Sequence, residues 1–142
     1  MANVTSDADV RALLTQYKKY AVVGISANAE RPSFRVTRFM QSKGYDTIGV
    51  NPGQSEILGR PCYPDLASAA RAHPEHMKMI NVFRSPETIP AVVDEILKLS
   101  PRPEVLWLQL GITHPEAEAR AEAAGIKVVS NKCLHIEMEK LF

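Results

Sequence analysis

The sequence predicts a doubly wound α/β protein, with about five parallel strands and helices on both faces of the sheet. Three observations predict it. Five short runs of almost unbroken apolar residues punctuate the chain, each too apolar to face water. A segment with helical periodicity follows each of them, so strand and helix alternate about five times. Neither an internal repeat nor a Pro/Gly/Ser-rich linker interrupts the alternation, so residues 1–142 read as a single domain with residues 1–19 as an N-terminal helix packed on it.

The first helix is expected from Ser6, an N-cap with Asp9 three residues on. Val10, Leu13, Leu14 and Tyr17 then recur at helical spacing, and Lys18 and Lys19 close it at the negative end of the dipole. Tyr20 to Ile25 is the first strand. Ser26 to Pro32 is a polar loop and Ser33 a cap for a second helix, whose apolar face is Val36, Phe39 and Met40 and whose stop is Gly44. Thr47 to Val50 is the second strand, ended by the turn signal Asn51-Pro52-Gly53. Gln54 to Pro64 reads as irregular, Asp65 to Ala72 as a short helix and Met79 to Phe83 as the third strand. Ser85 and Pro86 open a helix striped by Ile89, Val92, Val93, Ile96 and Leu97, which Pro101 and Pro103 end. Val105 to Leu110 is the fourth strand, and Thr113 with Glu116 forms a capping box for an alanine-rich helix stopped by Gly125. Ile126 to Val129 is the fifth strand and Leu134 to Leu141 a last helix.

Composition narrows the function classes. The 142 residues carry a net charge of +1, with 45% apolar and 23% charged residues, so no strong field draws the chain to nucleic acid or an anionic membrane. No apolar run approaches the roughly 18 residues of a membrane span. Met1 to Asp9 is polar and acidic, unlike a secretory or transit leader. Cys62 and Cys133 are too few for a disulfide framework, so a cytoplasmic location is expected.

Ligands of an open parallel sheet bind beyond the carboxyl ends of its strands, where the strand order reverses. Gly24, Ser26 and Ser33 offer small residues and hydroxyls at a helix start, and Arg31, Arg35 and Arg38 add guanidinium groups matched to phosphate. This first loop reads as an anion site. Gln109 and Gly111 stand at the exit of the fourth strand, where a polar side chain and a close backbone approach suit a ligand. The dinucleotide fingerprint has only its first glycine here, in Gly24-Ile25-Ser26-Ala27-Asn28-Ala29, and the second strand ends in Val50-Asn51-Pro52 without an acidic residue. Both departures count against NAD and leave NADP open, since an arginine can take a 2′-phosphate.

Several segments together carry a resemblance. Ala21-Val22-Val23-Gly24-Ile25-Ser26, Arg31-Pro32-Ser33, Gly44-Tyr45 and Val50-Asn51-Pro52 resemble the small stand-alone bacterial CoA-binding proteins. Ile57-Leu58-Gly59, Asn81-Val82-Phe83-Arg84, the run Val105 to Gly111 and the run Val128 to Leu134 extend the likeness over about residues 10 to 142. These proteins are similar to the N-terminal CoA-binding domain of the succinyl-CoA synthetase alpha subunit. The resemblance implies a Rossmann-type domain whose Gly-x-Ser loop, here Gly24, Ser26 and Ala27, cradles phosphates. It also implies that Val50, Asn51 and Pro52 meet the nucleotide end and that Phe83 and Arg84 line the adenine and pantetheine path. Arg35 as a phosphate partner is a physical inference, not part of the likeness. The synthetase's ligase domain carries a phosphorylated histidine, and ligase activity is not among the expectations that the resemblance carries over.

Three functions follow for weighing. The first is a binding or regulatory protein for CoA or an acyl-CoA, with no catalytic residues of its own. The second is an NAD(P)-dependent oxidoreductase or redox sensor, and the third a CoA-binding subunit of a ligase or acyl-transfer complex. Cys133 with His135 reads as a half-buried residue near the ligand mouth and its neighbour, not a dyad. His73 and His76 read as solvated loop residues and no metal site is expected. Glu116, Glu118, Arg120 and Glu122 read as a solvated helix face, and Trp107 as core. An exposed sheet edge would allow a homodimer.

Overall fold

The computed structural model describes Val4 and residues 6–142. The expected polar leader-less start at Met1 to Asp9 lies in part outside the described residues. Strands β1 (Lys19–Val23), β2 (Asp46–Val50), β3 (Glu56–Ile57), β4 (Arg60–Tyr63), β5 (Met79–Val82), β6 (Val105–Leu108) and β7 (Lys127–Val129) form one sheet in the order β3-β4-β2-β1-β5-β6-β7. Every pair is parallel except β3 with β4. The architecture is Rossmann-like, in that the chain winds outward from β1 through β2 to β4, then returns to β5 beside β1 and winds the other way.

Helices cover both faces. Helices α1 (Asp7–Gln16), α2 (Pro32–Ser42) and α6 (Leu134–Leu141) lie on one, and α3 (Leu66–Ala72), α4 (Ile89–Leu97) and α5 (Pro115–Ala123) on the other. Strand alternation divides the core accordingly. Tyr20, Val22, Met79 and Trp107 pack toward α1, α2 and α6, whereas Ala21, Val23, Ile80 and Leu106 pack toward α3, α4 and α5. Trp107 is fully buried, and its indole N–H donates to the Lys132 carbonyl at 2.8 Å.

The sheet has seven strands instead of about five, because the segment read as irregular supplies β3 and β4. Leu58 (φ 55°) and Gly59 (φ 74°) are both left-handed, the conformation of a two-residue hairpin turn that twists with its strands. A leucine at the first turn position hides that signal in the sequence. Pairing of β4 with β2 rests on Gly49 opposite Cys62 and Val50 opposite Tyr63, too short a run to show periodicity.

Helix starts differ from expectation at three points, one of them α4, which begins at Ile89 after the 3-10 turn Pro86–Thr88 that Ser85 precedes. Arg31 and not Ser33 is the N-cap of α2, with Pro32 taking the first helical position where its missing N–H costs nothing. His114 and not Thr113 caps α5. Its Nδ1 accepts from the Ala117 N–H at 3.2 Å, while Glu118 Oε2 accepts from the His114 N–H at 2.7 Å. Three residues expected in solvent are buried: Glu118, Glu122 and His76. Glu118 is drawn in by its capping bond. His76 is drawn in by Asp46, whose Oδ2 accepts from its Nε2 at 2.9 Å.

Candidate functional site

Strand β1 stops at Val23 because Gly24 turns to φ +83°. A Cβ there would stand 2.3 Å from the Phe83 carbonyl oxygen and 2.7 Å from Arg84 Cδ, so no side chain fits. The two strands flanking the reversal, β1 and β5, therefore run out side by side, with Phe83 N–H donating to Val23 O at 2.8 Å.

The loop between β1 and α2 is held by its own polar groups. Ser26 N–H donates to Ser33 Oγ at 3.0 Å, Asn28 N–H to Ser26 Oγ at 3.0 Å and Glu30 N–H to Asn28 Oδ1 at 2.9 Å. Ser33 thus serves the loop in front of it, and the N-terminus of α2 has no side-chain cap. An uncapped N-terminus with its dipole directed at a crevice favours an anion.

Between this loop and the ends of β5 and β6 lies a crevice of about 620 Å³. Gly24, Ser26, Arg31, Ser33, Phe83, Arg84, Gln109 and Cys133, all singled out in the sequence, line it together. Pro32, Val36, Ser85, Leu110 and Ile112 line it as well and were not singled out. Leu110, expected as the last residue of the fourth strand, lies past the end of β6 and is 58% exposed at the mouth. The lining contains two guanidinium groups and no carboxylate, and its other half is apolar. The volume suits a small-molecule site, which spans about 300–1,000 Å³.

Gln109 fixes the floor. It is 4% exposed, and its Oε1 accepts from the Leu134 N–H at 3.2 Å and from Asn81 Nδ2 at 3.4 Å. The side chain is consumed in aligning α6 with β6. Gly111 stands outside the lining and donates its N–H to Asn131 Oδ1 at 2.7 Å.

Other expected residues fall elsewhere. Val50 and Pro52 line a second crevice of about 650 Å³ beyond Arg84, whose wall carries Asp65, Glu87, Asp94 and Glu95. Hydrogen bonds from Ser68 hold the Asp65 carboxyl below the usual carboxylate range, and Arg84 and Lys98 stand among these carboxylates on the same wall. Asn51 is not among the lining residues of either crevice. Its Nδ2 donates to the Ile25 carbonyl at 2.8 Å and its Oδ1 accepts from Gly53 N–H at 2.8 Å. Arg35 is exposed on α2 and lines a neighbouring groove with Phe39 and His135. Ala27 is exposed in the loop. Cys133 borders both that groove and the first crevice, and neither it nor Cys62 is in a disulfide. No helix of the described residues is long and apolar enough to cross a membrane.

Residues 18–139 match a family described as a CoA binding domain. The chain belongs to that family. The Bacillus subtilis protein YneT is 32% identical over 131 residues, which cover 92% of this chain and 93% of that protein. A solved structure of a Thermus thermophilus protein is 35% identical, with a TM-score of 0.84 over 97% of this chain and 100% of the other. A hypothetical protein from Pyrococcus horikoshii is 33% identical, with a TM-score of 0.87 over 99% of this chain and 96% of the other. The family's description accords with the expectation of a CoA-binding chain.

Proposed function

We propose that the protein binds coenzyme A or an acyl-CoA in the crevice between the carboxyl ends of β1 and β5, and that it acts as a binding or regulatory protein. One observation carries the reading: a single crevice joins a phosphate-suited end to an apolar one. Gly24, Ser26, Arg31 and the uncapped N-terminus of α2 supply the first. Phe83, Val36, Leu110 and Ile112 supply the second, suited to a pantetheine arm.

The diphosphate of CoA sits at the Gly24–Ser33 loop with Arg31 and Arg84 as its counter-charges. The nucleotide end crosses Arg84 toward Val50 and Pro52, since Arg84 borders both crevices. Arg84 and Lys98 on that second wall offset its carboxylates for the ribose 3′-phosphate that the nucleotide end carries, and Val50 and Pro52 offer the base an apolar bed. Arg35, with its guanidinium directed to a separate groove, contributes only at long range.

A thermal-shift titration with CoA, acetyl-CoA, NAD, NADP and ATP tests the reading. A ligand present at a hundred times its dissociation constant stabilises the native state by about 2.7 kcal/mol. CoA or acetyl-CoA is expected to raise the melting temperature while NAD does not. A shift with NADP and none with either CoA form overturns the reading in favour of a dehydrogenase or redox sensor.

A further inference from the structure

At the amino end of the sheet, opposite the crevice, three side chains converge that the CoA reading does not use. His73 follows α3, and Glu75 and His76 lie in the 3-10 turn Pro74–His76 that leads into β5. One donor atom of each lies within 4.8 Å of the other two. Glu75 Oε2 is 3.4 Å from His76 Nδ1 and 3.6 Å from His73 Nδ1.

The decisive group is His76. It is 2% exposed, and its Nε2 lies 2.9 Å from Asp46 Oδ2. Asp46 is already paired with Arg60, whose Nε stands 2.8 Å from Oδ1. A carboxylate only accepts, so the His76 proton resides on Nε2 and the lone pair on Nδ1. That buried Nδ1 has no hydrogen-bond partner among the described residues, yet it faces the Glu75 carboxylate. The buried ring nitrogen and the carboxylate therefore lie side by side with no hydrogen bond satisfying the nitrogen.

We infer that His73, Glu75 and His76 form a site for a divalent transition-metal ion of the Zn²⁺ class. Two imidazoles and one carboxylate are a recognised zinc donor set, with a fourth position left for water. Tetrahedral ligands about 2.0–2.2 Å from a shared ion are about 3.3–3.6 Å apart, which the two Glu75 distances match. The third edge closes by rotation of the half-buried His73 ring. Asp46 holds His76 through its other ring nitrogen, the outer carboxylate that metal-bound histidines commonly have. Borderline nitrogen donors favour Zn²⁺ over Mg²⁺ or Ca²⁺, which take oxygen ligands. A bound ion would tie the end of α3 and the start of β5 to β2 through Asp46.

Zinc titration of the chelator-stripped full-length protein, with metal content measured by mass spectrometry, tests the site without recourse to CoA. One Zn²⁺ per chain is expected, with Mg²⁺ unable to displace it. His73→Ala and Glu75→Gln, both at accessible positions, should each weaken zinc binding at least tenfold while the circular dichroism spectrum is kept. Co²⁺ should give visible bands of a four-coordinate ion without a thiolate charge-transfer band. Binding that is substoichiometric, that survives both substitutions, or that is lost instead in Cys62→Ser or Cys133→Ser overturns the assignment.

Discussion

The α-carbon of Gly24 lies so close to Phe83 that a Cβ would stand 2.3 Å from the Phe83 carbonyl oxygen. This contact sets β1 and β5 side by side where the strand order reverses, and so shapes the floor of the crevice. Gly24→Ala would pay twice, through the left-handed φ and through displacement of backbone. A left-handed non-glycine residue costs about 1–2 kcal/mol, and the clash adds to it. Gly125, at φ +90° with nothing within 4 Å of a built Cβ, is the matched control. Gly125→Ala should lose about 1 kcal/mol in urea denaturation with CoA affinity intact. Gly24→Ala should lose more and weaken CoA binding at least tenfold by calorimetry. Equal effects of the two on both readouts would remove Gly24 from the site.

Asn51 is predicted to hold the site without touching the ligand. Its Nδ2 donates to the Ile25 carbonyl, tying the turn after β2 to the loop that precedes α2. Asn51→Ala should cost about 1–2 kcal/mol of stability. Asn51→Asp keeps the acceptor for Gly53 N–H but sets a carboxylate oxygen against the Ile25 carbonyl, so it should cost at least as much. Chemical denaturation of the two variants checks the order. A loss of CoA affinity with unchanged stability would make Asn51 a direct contact instead.

The parts of the fold that were legible are those whose signal is local and repeated. The strands beginning near Tyr20, Thr47, Met79, Val105 and Ile126 are buried on both faces, so each reads as an apolar run. The crevice was legible for the same reason, because residues just past such runs are bound to meet at one sheet edge. What was hidden depends on partners distant in sequence. The β3–β4 hairpin turns on a left-handed Leu58, which no composition announces. His76 looks like a surface residue until Asp46, thirty positions away, is seen to accept from it. Asn51 belongs to the site's residue types, yet its amide is spent on Ile25, a fact set by the register of β1 and β2.

The two thiols should differ in reactivity. Burial pushes the Cys62 thiol up, against a smaller lowering by its contacts with the Asn51 and Tyr63 backbone, and the residue is enclosed. Cys133 is half-buried on the crevice wall at the start of α6. A disulfide reagent should therefore modify Cys133 first and Cys62 only on unfolding. Saturating CoA should slow the Cys133 reaction at least fivefold, read as the rate of thiol release in wild type and in Cys62→Ser. An unprotected Cys133 would move the ligand away from this wall.

Two tyrosines make the fold sensitive to alkali. Tyr17 donates its hydroxyl to Glu104 Oε1 at 2.5 Å, and burial first, then that carboxylate, push its pKa from 10.0 to about 12. Tyr20 is fully buried, and its pKa is driven higher still by desolvation and by neighbouring Tyr45. Between pH 10.0 and about 12 the unfolded chain releases the Tyr17 proton while the native state keeps it. Fewer protons are then bound in the unfolded state, so stability is complete below pH 10.0 and falls as pH rises through this window. The Tyr20 hydroxyl has no hydrogen-bond partner among the described residues. Tyr20→Phe therefore removes a desolvated polar atom and should raise stability near neutral pH by about 1 kcal/mol. It should also flatten the alkaline decline, and Tyr17→Phe with Tyr20→Phe should flatten it further. Urea denaturation from neutral pH into this window checks both claims. A Tyr20→Phe variant less stable than wild type at neutral pH would show that the hydroxyl is satisfied.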